Sequence, residues 1–216
     1  MFTDAKEVAF GIWKYSNVFT KDLDIINRLE DILGKSEPGQ RYQWREALVG
    51  YAQRMPEYRD CVDFKYKKTD LQFDKSNESL LLQQVWQDCY DAQKPAVDHY
   101  CRQYNGMQLN YWESFNFIKY GPGQHFQTHT DHGFSYICVT SLVGYLNDDY
   151  DGGELYFPFL DLSLKPEAGD LFIFPSNYMY PHRAMPVTDG TKYSLVTMLD
   201  YNGKAHTPEF YSQEIV

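Results

Sequence analysis

Hydrophobic and polar positions change their period about halfway along the chain. In the first half apolar residues recur at helical spacing. Leu23, Ile26, Leu29, Ile32 and Leu33 form one stripe, with Thr20 as N-cap, Asp22 and Asp24 in the first turn and Gly34 just past the end. A longer stripe over 78–104 takes in Leu81, Val85, Cys89, Val97, Tyr100, Cys101 and Tyr104, and Pro95 is expected to kink or split it. Residues 7–19 alternate loosely and read as one opening strand. Residues 44–55 read as a short helix turning Trp44, Leu48 and Tyr51 inward, 59–66 as a strand, and 67–79 as a polar excursion. From Gln108 the period falls to two. Strands are expected over 109–119, 126–131, 136–146, 153–157, 170–175 and 192–201, with Gly or Pro at nearly every junction. Short strands so punctuated predict a double-sheet β-sandwich.

Length suits one domain over 1–216. Within it 1–107 is expected to be mostly helical support, 108–202 the β core and 203–216 a tail. Composition changes this picture little: 43% hydrophobic residues is ordinary, while 17% aromatic, with 19 tyrosines, favours pocket walls that carry polar tips. Cys61, Cys89, Cys101 and Cys138 form no paired motif and read as reduced thiols. A net charge of -10 argues against general affinity for nucleic-acid phosphates. Lys65, Lys67 and Lys68 read as a solvated strand end. With no basic-then-apolar leader and no apolar run near about 18 residues, the expectation is a cytoplasmic protein without a membrane span.

The candidate chemistry begins at Tyr120, in Y-G-P-G-Q-H-F-Q-T-H-T-D. Gly121, Pro122 and Gly123 disfavour a helix, and β-branched or aromatic residues follow, so His129 and Asp131 read as i, i+2 neighbours on one strand face. A third ligand is sought downstream, where His182 is the candidate. Two histidines and one carboxylate make the facial triad of non-haem Fe(II) oxygenases. His125 is the rival ligand, but His125 and His129 would share a face only on a helix. His132 should face away, His99 is read as structural, and His206 is expected to face solvent. Lys192 and Ser194, ten and twelve residues past His182, share a strand face.

In these residues the chain resembles the Fe(II)/2-oxoglutarate-dependent dioxygenases, in their prolyl 4-hydroxylase-like branch. The resemblance rests on Y-x-x-G-x-x-F-x-x-H-x-D from Tyr120, Y-L-N from Tyr145, Y-D-G-G-E-L from Tyr150, P-x-x-G-D-L from Pro166 and H-x3-P-V-x2-G-x-K-Y-S from His182, and it covers 108–202. It implies an α+β, mainly β fold with a double-stranded β-helix (jelly-roll) core and N-terminal supporting helices. It implies Fe(II) on His129, Asp131 and His182. Lys192 and Tyr120 would hold the distal carboxylate of 2-oxoglutarate, with Tyr145 and Ser194 in the same pocket. It implies O2 as oxidant, ascorbate as an accessory, and hydroxylation of a C–H bond with release of succinate and CO2. The substrate it points to is a peptidyl proline on a peptide or protein partner. Alternatives are another substrate for the same chemistry, alkylated nucleic acid included, or a metal-binding jelly-roll without turnover or acting as a hydrolase. Three positions depart from the branch's pattern: Cys138 where a substrate-side arginine is usual, Phe126 for a tyrosine and Met198 for a tryptophan.

Overall fold

The computed structural model describes residues 2–50, 52–133 and 136–207. The opening segment is a hairpin, Asp4–Ala9 (β1) and Ile12–Ser16 (β2), and not the single strand expected over 7–19. Gly11, at φ 75, makes the turn that the loose alternation concealed. The expected helix from Thr20 is three short pieces: a 3-10 turn Lys21–Leu23, Ile25–Leu29 (α1) and a π turn Glu30–Gly34. Asp24 in the left-handed region (φ 48) breaks the path between the first two, the Thr20 side chain caps nothing, and Gly34 lies inside the last piece.

The chain continues with Arg45–Glu46 (β3), Arg59–Asp60 (β4), Val62–Tyr66 (β5), Lys68–Leu71 (α2) and Asn77–Gln103 (α3). The helix expected over 44–55 is absent. Arg45–Glu46 is extended, and Val49 bridges Gln53 across Gly50 and Ala52, both at positive φ. Leu48 is half exposed, and Tyr51 lies outside the described residues. Helix α3 runs unbroken through Pro95. Leu82, Val85 and Cys89 before the proline and Ala96, Val97 and Tyr100 after it are all buried in one core, so packing holds both halves.

The strands that follow are Tyr111–Trp112 (β6), Phe115–Tyr120 (β7), His125–His129 (β8), Thr140–Tyr145 (β9), Tyr150–Gly152 (β10), Leu155–Phe157 (β11), Leu162–Leu164 (β12), Leu171–Pro175 (β13), His182–Ala184 (β14), Val187–Gly190 (β15) and Lys192–Asp200 (β16). One large sheet runs β1-β2-β13-β9-β16-β7-β5-β3, with β6 beside β16; a smaller one runs β12-β11-β14-β8-β4; β10 and β15 pair apart. Among the described residues every ladder is antiparallel. This is the jelly-roll core. Residues 1–107 are more than helical support, because they carry both edges of the large sheet and one edge of the small one. The strand expected over 59–66 divides at Cys61, β4 joining the small sheet through β8 and β5 the large sheet through β7.

Strand β16 shows how the period of two builds the layers. Leu195 and Leu199 face α1 and α3 in the main core. Lys192, Ser194, Val196 and Met198 face the space between the sheets, a cavity of about 690 Å³. The tail begins with one 3-10 turn, Gly203–Ala205, and 208–216 lie outside the described residues. His206 is not solvated as expected: its ring stacks on Tyr111 at 4.1 Å and its Nε2 lies 2.9 Å from Asp200 Oδ2. No helix among the described residues is long and apolar enough to cross a membrane.

Candidate metal and anion site

Antiparallel pairing of β8 with β14 sets His182 directly opposite His129. Strand β8 ends at His129, so Asp131 reaches the same place from the bend that follows and not from the strand face expected. His129 Nε2 lies 3.5 Å from Asp131 Oδ1 and His182 Nε2 lies 3.6 Å from Asp131 Oδ2. One ligand atom from each residue falls within 4.8 Å of the others. Both Nδ1 atoms sit on main-chain carbonyls, His129 on Gln127 O at 2.8 Å and His182 on Tyr180 O at 3.2 Å. A carbonyl only accepts, so each Nδ1 carries a proton and each Nε2 is the ring nitrogen left for a metal. Burial pushes His182 down to about 4, against the pull of Asp131, which keeps that imidazole neutral. Burial also works to raise Asp131, but His182, His129 and the Ser141 hydroxyl outweigh it and hold the carboxyl well below the usual range. Two imidazole nitrogens and a carboxylate are a donor set that fits Fe(II) with positions left open.

The same cavity is also lined by a buried lysine. Lys192 is 1% exposed and faces the cavity. Its Nζ donates to Gly153 O at 3.0 Å and lies 4.3 Å from the Tyr120 ring centroid. Among the described residues no carboxylate comes within 4.0 Å of it. Burial pushes its pKa down to about 7. A buried cation without a counter-ion is costly unless an anion joins it. Tyr120, Tyr145 and Ser194 line the same wall. Register explains the grouping, since Lys192 pairs Tyr120 and Ser194 pairs Tyr145 across strands.

All seven expected site residues therefore border one cavity. His125 stands apart, its nitrogens on Gly123 O and Glu57 O, and His132 turns to Cys138 O. Phe126 and Met198 line the cavity, whereas Cys138 is buried off it. None of 67–79 borders the cavity; the adjoining loop is 45–50.

Sequence reasoning missed the wall contributed by β4, β5 and β7. Arg59 lies over the Phe126 ring at 5.0 Å, and Phe126 stacks on His129 at 3.7 Å and 14°. The guanidinium donates to Leu48 O at 2.9 Å and to Asp63 Oδ2 at 2.7 Å, with Asn116 Nδ2 3.5 Å from that same oxygen. No spacing signals these residues, because strand pairing alone brings them to the cavity.

Residues 115–199 match the family described as the 2OG-Fe(II) oxygenase superfamily. A putative prolyl 4-hydroxylase of Acanthamoeba polyphaga mimivirus is 31% identical over 120 residues, covering 46% of this chain and 49% of that protein. Procollagen-lysine,2-oxoglutarate 5-dioxygenase 2 of Homo sapiens is 28% identical over 84 residues, 38% of this chain and 11% of that one. The chain thus spans half or less of the length of these curated relatives. Among solved structures, a Pseudomonas putida prolyl-4-hydroxylase superposes with TM-score 0.62 at 20% identity, covering 88% of this chain and 92% of its own. A Trichoplax adhaerens prolyl hydroxylase in complex with a hypoxia inducible factor oxygen degradation domain peptide fragment gives 0.66 at 12%, covering 94% and 86%. At such identities the superpositions speak for the fold. Residues 115–199, which carry the triad, thus match the 2OG-Fe(II) oxygenase superfamily in sequence, and the fold is the one shared with the prolyl hydroxylase structures.

Proposed function

We propose that the protein is a Fe(II)- and 2-oxoglutarate-dependent dioxygenase that hydroxylates a proline within a peptide or protein. His129, Asp131 and His182 hold the iron. Lys192 receives the distal carboxylate of 2-oxoglutarate, with Tyr120, Tyr145 and Ser194 closing around it. The observation that carries this reading is Lys192, a buried lysine with no carboxylate within 4.0 Å among the described residues, lining the same cavity as the triad. A hydrolase with the same triad would need no such anchor.

Bound iron and 2-oxoglutarate supply the oxidation, in which O2 is divided between succinate and the hydroxylated carbon as CO2 leaves. The chain's own residues bind and orient. Lys192 and Tyr120 fix one end of the co-substrate through a charge-assisted contact. Val143, Val196 and Leu155 keep the space between anchor and triad apolar, which excludes water. At the mouth, Arg59 with Asp63 and Asn116 offers donors and acceptors suited to peptide groups, in place of the arginine missing at 138. The peptidyl-proline assignment draws on the mimivirus relative, a putative prolyl 4-hydroxylase, and on the peptide complex of the Trichoplax neighbour. Ascorbate would serve as reductant, and an intracellular setting would keep the iron ferrous.

The test is succinate release from 2-oxoglutarate across a panel of blocked proline-containing peptides and free amino acids. Stimulation by a proline peptide, with a mass gain of one oxygen, is expected. If no proline peptide raises turnover above the peptide-free rate, the prolyl assignment is overturned.

A further inference from the structure

Beside the triad, two buried serine side chains form a chain of contacts that ends on Asp131. Ser141 Oγ lies 2.5 Å from Asp131 Oδ2 and 2.7 Å from Ser176 Oγ. Ser141 is 0% exposed and Ser176 1%, so water does not stand in for either of them.

An ionised carboxylate has no proton to give, which settles the direction of every bond. Ser141 must donate to Oδ2, and its lone pair must then accept from Ser176. The main chain holds Ser176 in place as well: its N–H donates to Val139 O at 3.0 Å and its carbonyl accepts from His132 N at 3.0 Å. Both partners belong to the segment that follows Asp131. The relay is therefore tied to the bend that carries the carboxylate.

We infer that the Ser176–Ser141 relay positions Asp131, holding its carboxylate in one orientation toward the metal position between His129 and His182. This rests on the triad reading above. Oδ2 takes a short, charge-assisted hydrogen bond and lies 3.6 Å from His182 Nε2, while Oδ1 lies 3.5 Å from His129 Nε2, so the bond from Ser141 fixes how the carboxylate stands between the two histidines. A carboxylate free to turn could bind through both oxygens and would close one of the positions the triad leaves open. The co-substrate and O2 need those positions. Ser141 and Ser176 are thus positioning residues, acting through Asp131.

The test measures Fe(II) affinity without oxygen, and then 2-oxoglutarate affinity of the iron-loaded protein, in the full chain. Removing a group that orients a ligand lowers metal affinity about 10–100-fold, so Ser141→Ala should weaken Fe(II) binding by at least about tenfold. Ser141→Thr, which keeps the hydroxyl, should restore most of it. Ser176→Ala acts one bond further away and should give a smaller loss of the same sign. Wild-type affinity in a Ser141→Ala protein with a wild-type melting temperature, alongside loss in Asp131→Ala, would overturn the relay and leave the triad standing. Wild-type affinity in Asp131→Ala itself would overturn both. Should Ser141→Ala not fold, Ser176→Ala decides: unchanged Fe(II) and 2-oxoglutarate affinities overturn the inference.

Discussion

Lys192 and Tyr120 are register partners on adjacent antiparallel strands, and the ammonium of one lies 4.3 Å from the ring centroid of the other. Pairing puts both side chains on the inner face of the large sheet, where neither meets water. The ring face and Gly153 O are a partial substitute for hydration. An anion would complete the environment, and the first two predictions follow from that.

Lys192→Ala should raise the 2-oxoglutarate requirement by one to two orders of magnitude. A hydrogen bond to a charged group contributes about 1.5–3 kcal/mol. Iron content should hold, because Lys192 touches no triad residue. Lys192→Arg should be partly tolerated. Steady-state titration of 2-oxoglutarate with parallel iron analysis checks this, and unchanged co-substrate dependence in Lys192→Ala would move the anchor elsewhere.

Binding should also take up a proton. Burial lowers Lys192 to about 7, so above that pH the free protein holds it largely neutral, whereas the complex needs the ammonium. Affinity for 2-oxoglutarate should then fall as pH rises past 7, with uptake approaching one proton at pH 8 and above. The sign for stability is opposite. Between 7 and the unfolded value near 10.5 the unfolded chain binds the extra proton, so this group contributes more stability as pH rises. Calorimetry of 2-oxoglutarate binding in buffers of differing ionisation enthalpy measures the uptake, and Lys192→Arg should abolish it.

Loss of any one triad residue should release iron. His129→Ala, Asp131→Ala and His182→Ala each leave two ligands, while His125→Ala removes a ring that meets only carbonyls. Metal analysis after desalting separates these outcomes. Iron near the wild-type level in His182→Ala would sink the ligand assignment.

Arg59→Met keeps length and apolar bulk over Phe126 but removes the donors held at Leu48 O and Asp63. The peptide KM should rise several-fold, more than kcat falls. Arg59→Lys should recover little, since one ammonium cannot reproduce the planar fork. A peptide KM unaltered in Arg59→Met would place substrate recognition on another wall.

The order His129, Asp131, His182, Lys192, Ser194 and the longer strands from 109 onward were legible because they rest on local features, whereas the short strands β10, β12, β14 and β15 were not. A period of two, glycine and proline at junctions, and ligand types at short spacing are properties of neighbouring residues. What the chain could not disclose locally was which strands would meet. Cys61 divides one apparent strand between two sheets, and that division delivers Arg59 to Phe126 and Asp63 to Asn116. Asp131 reaches its place from a bend, with Ser141 and Ser176 behind it, strands away in the chain. Pro95 fails to interrupt α3 because the core on both sides of it outweighs one missing hydrogen bond. His206 leaves solvent for Tyr111 and Asp200 for the same kind of reason. Composition and spacing determined the chemistry this chain can carry. Long-range strand pairing and burial decided which side chains surround it, since those contacts join residues that no local pattern connects.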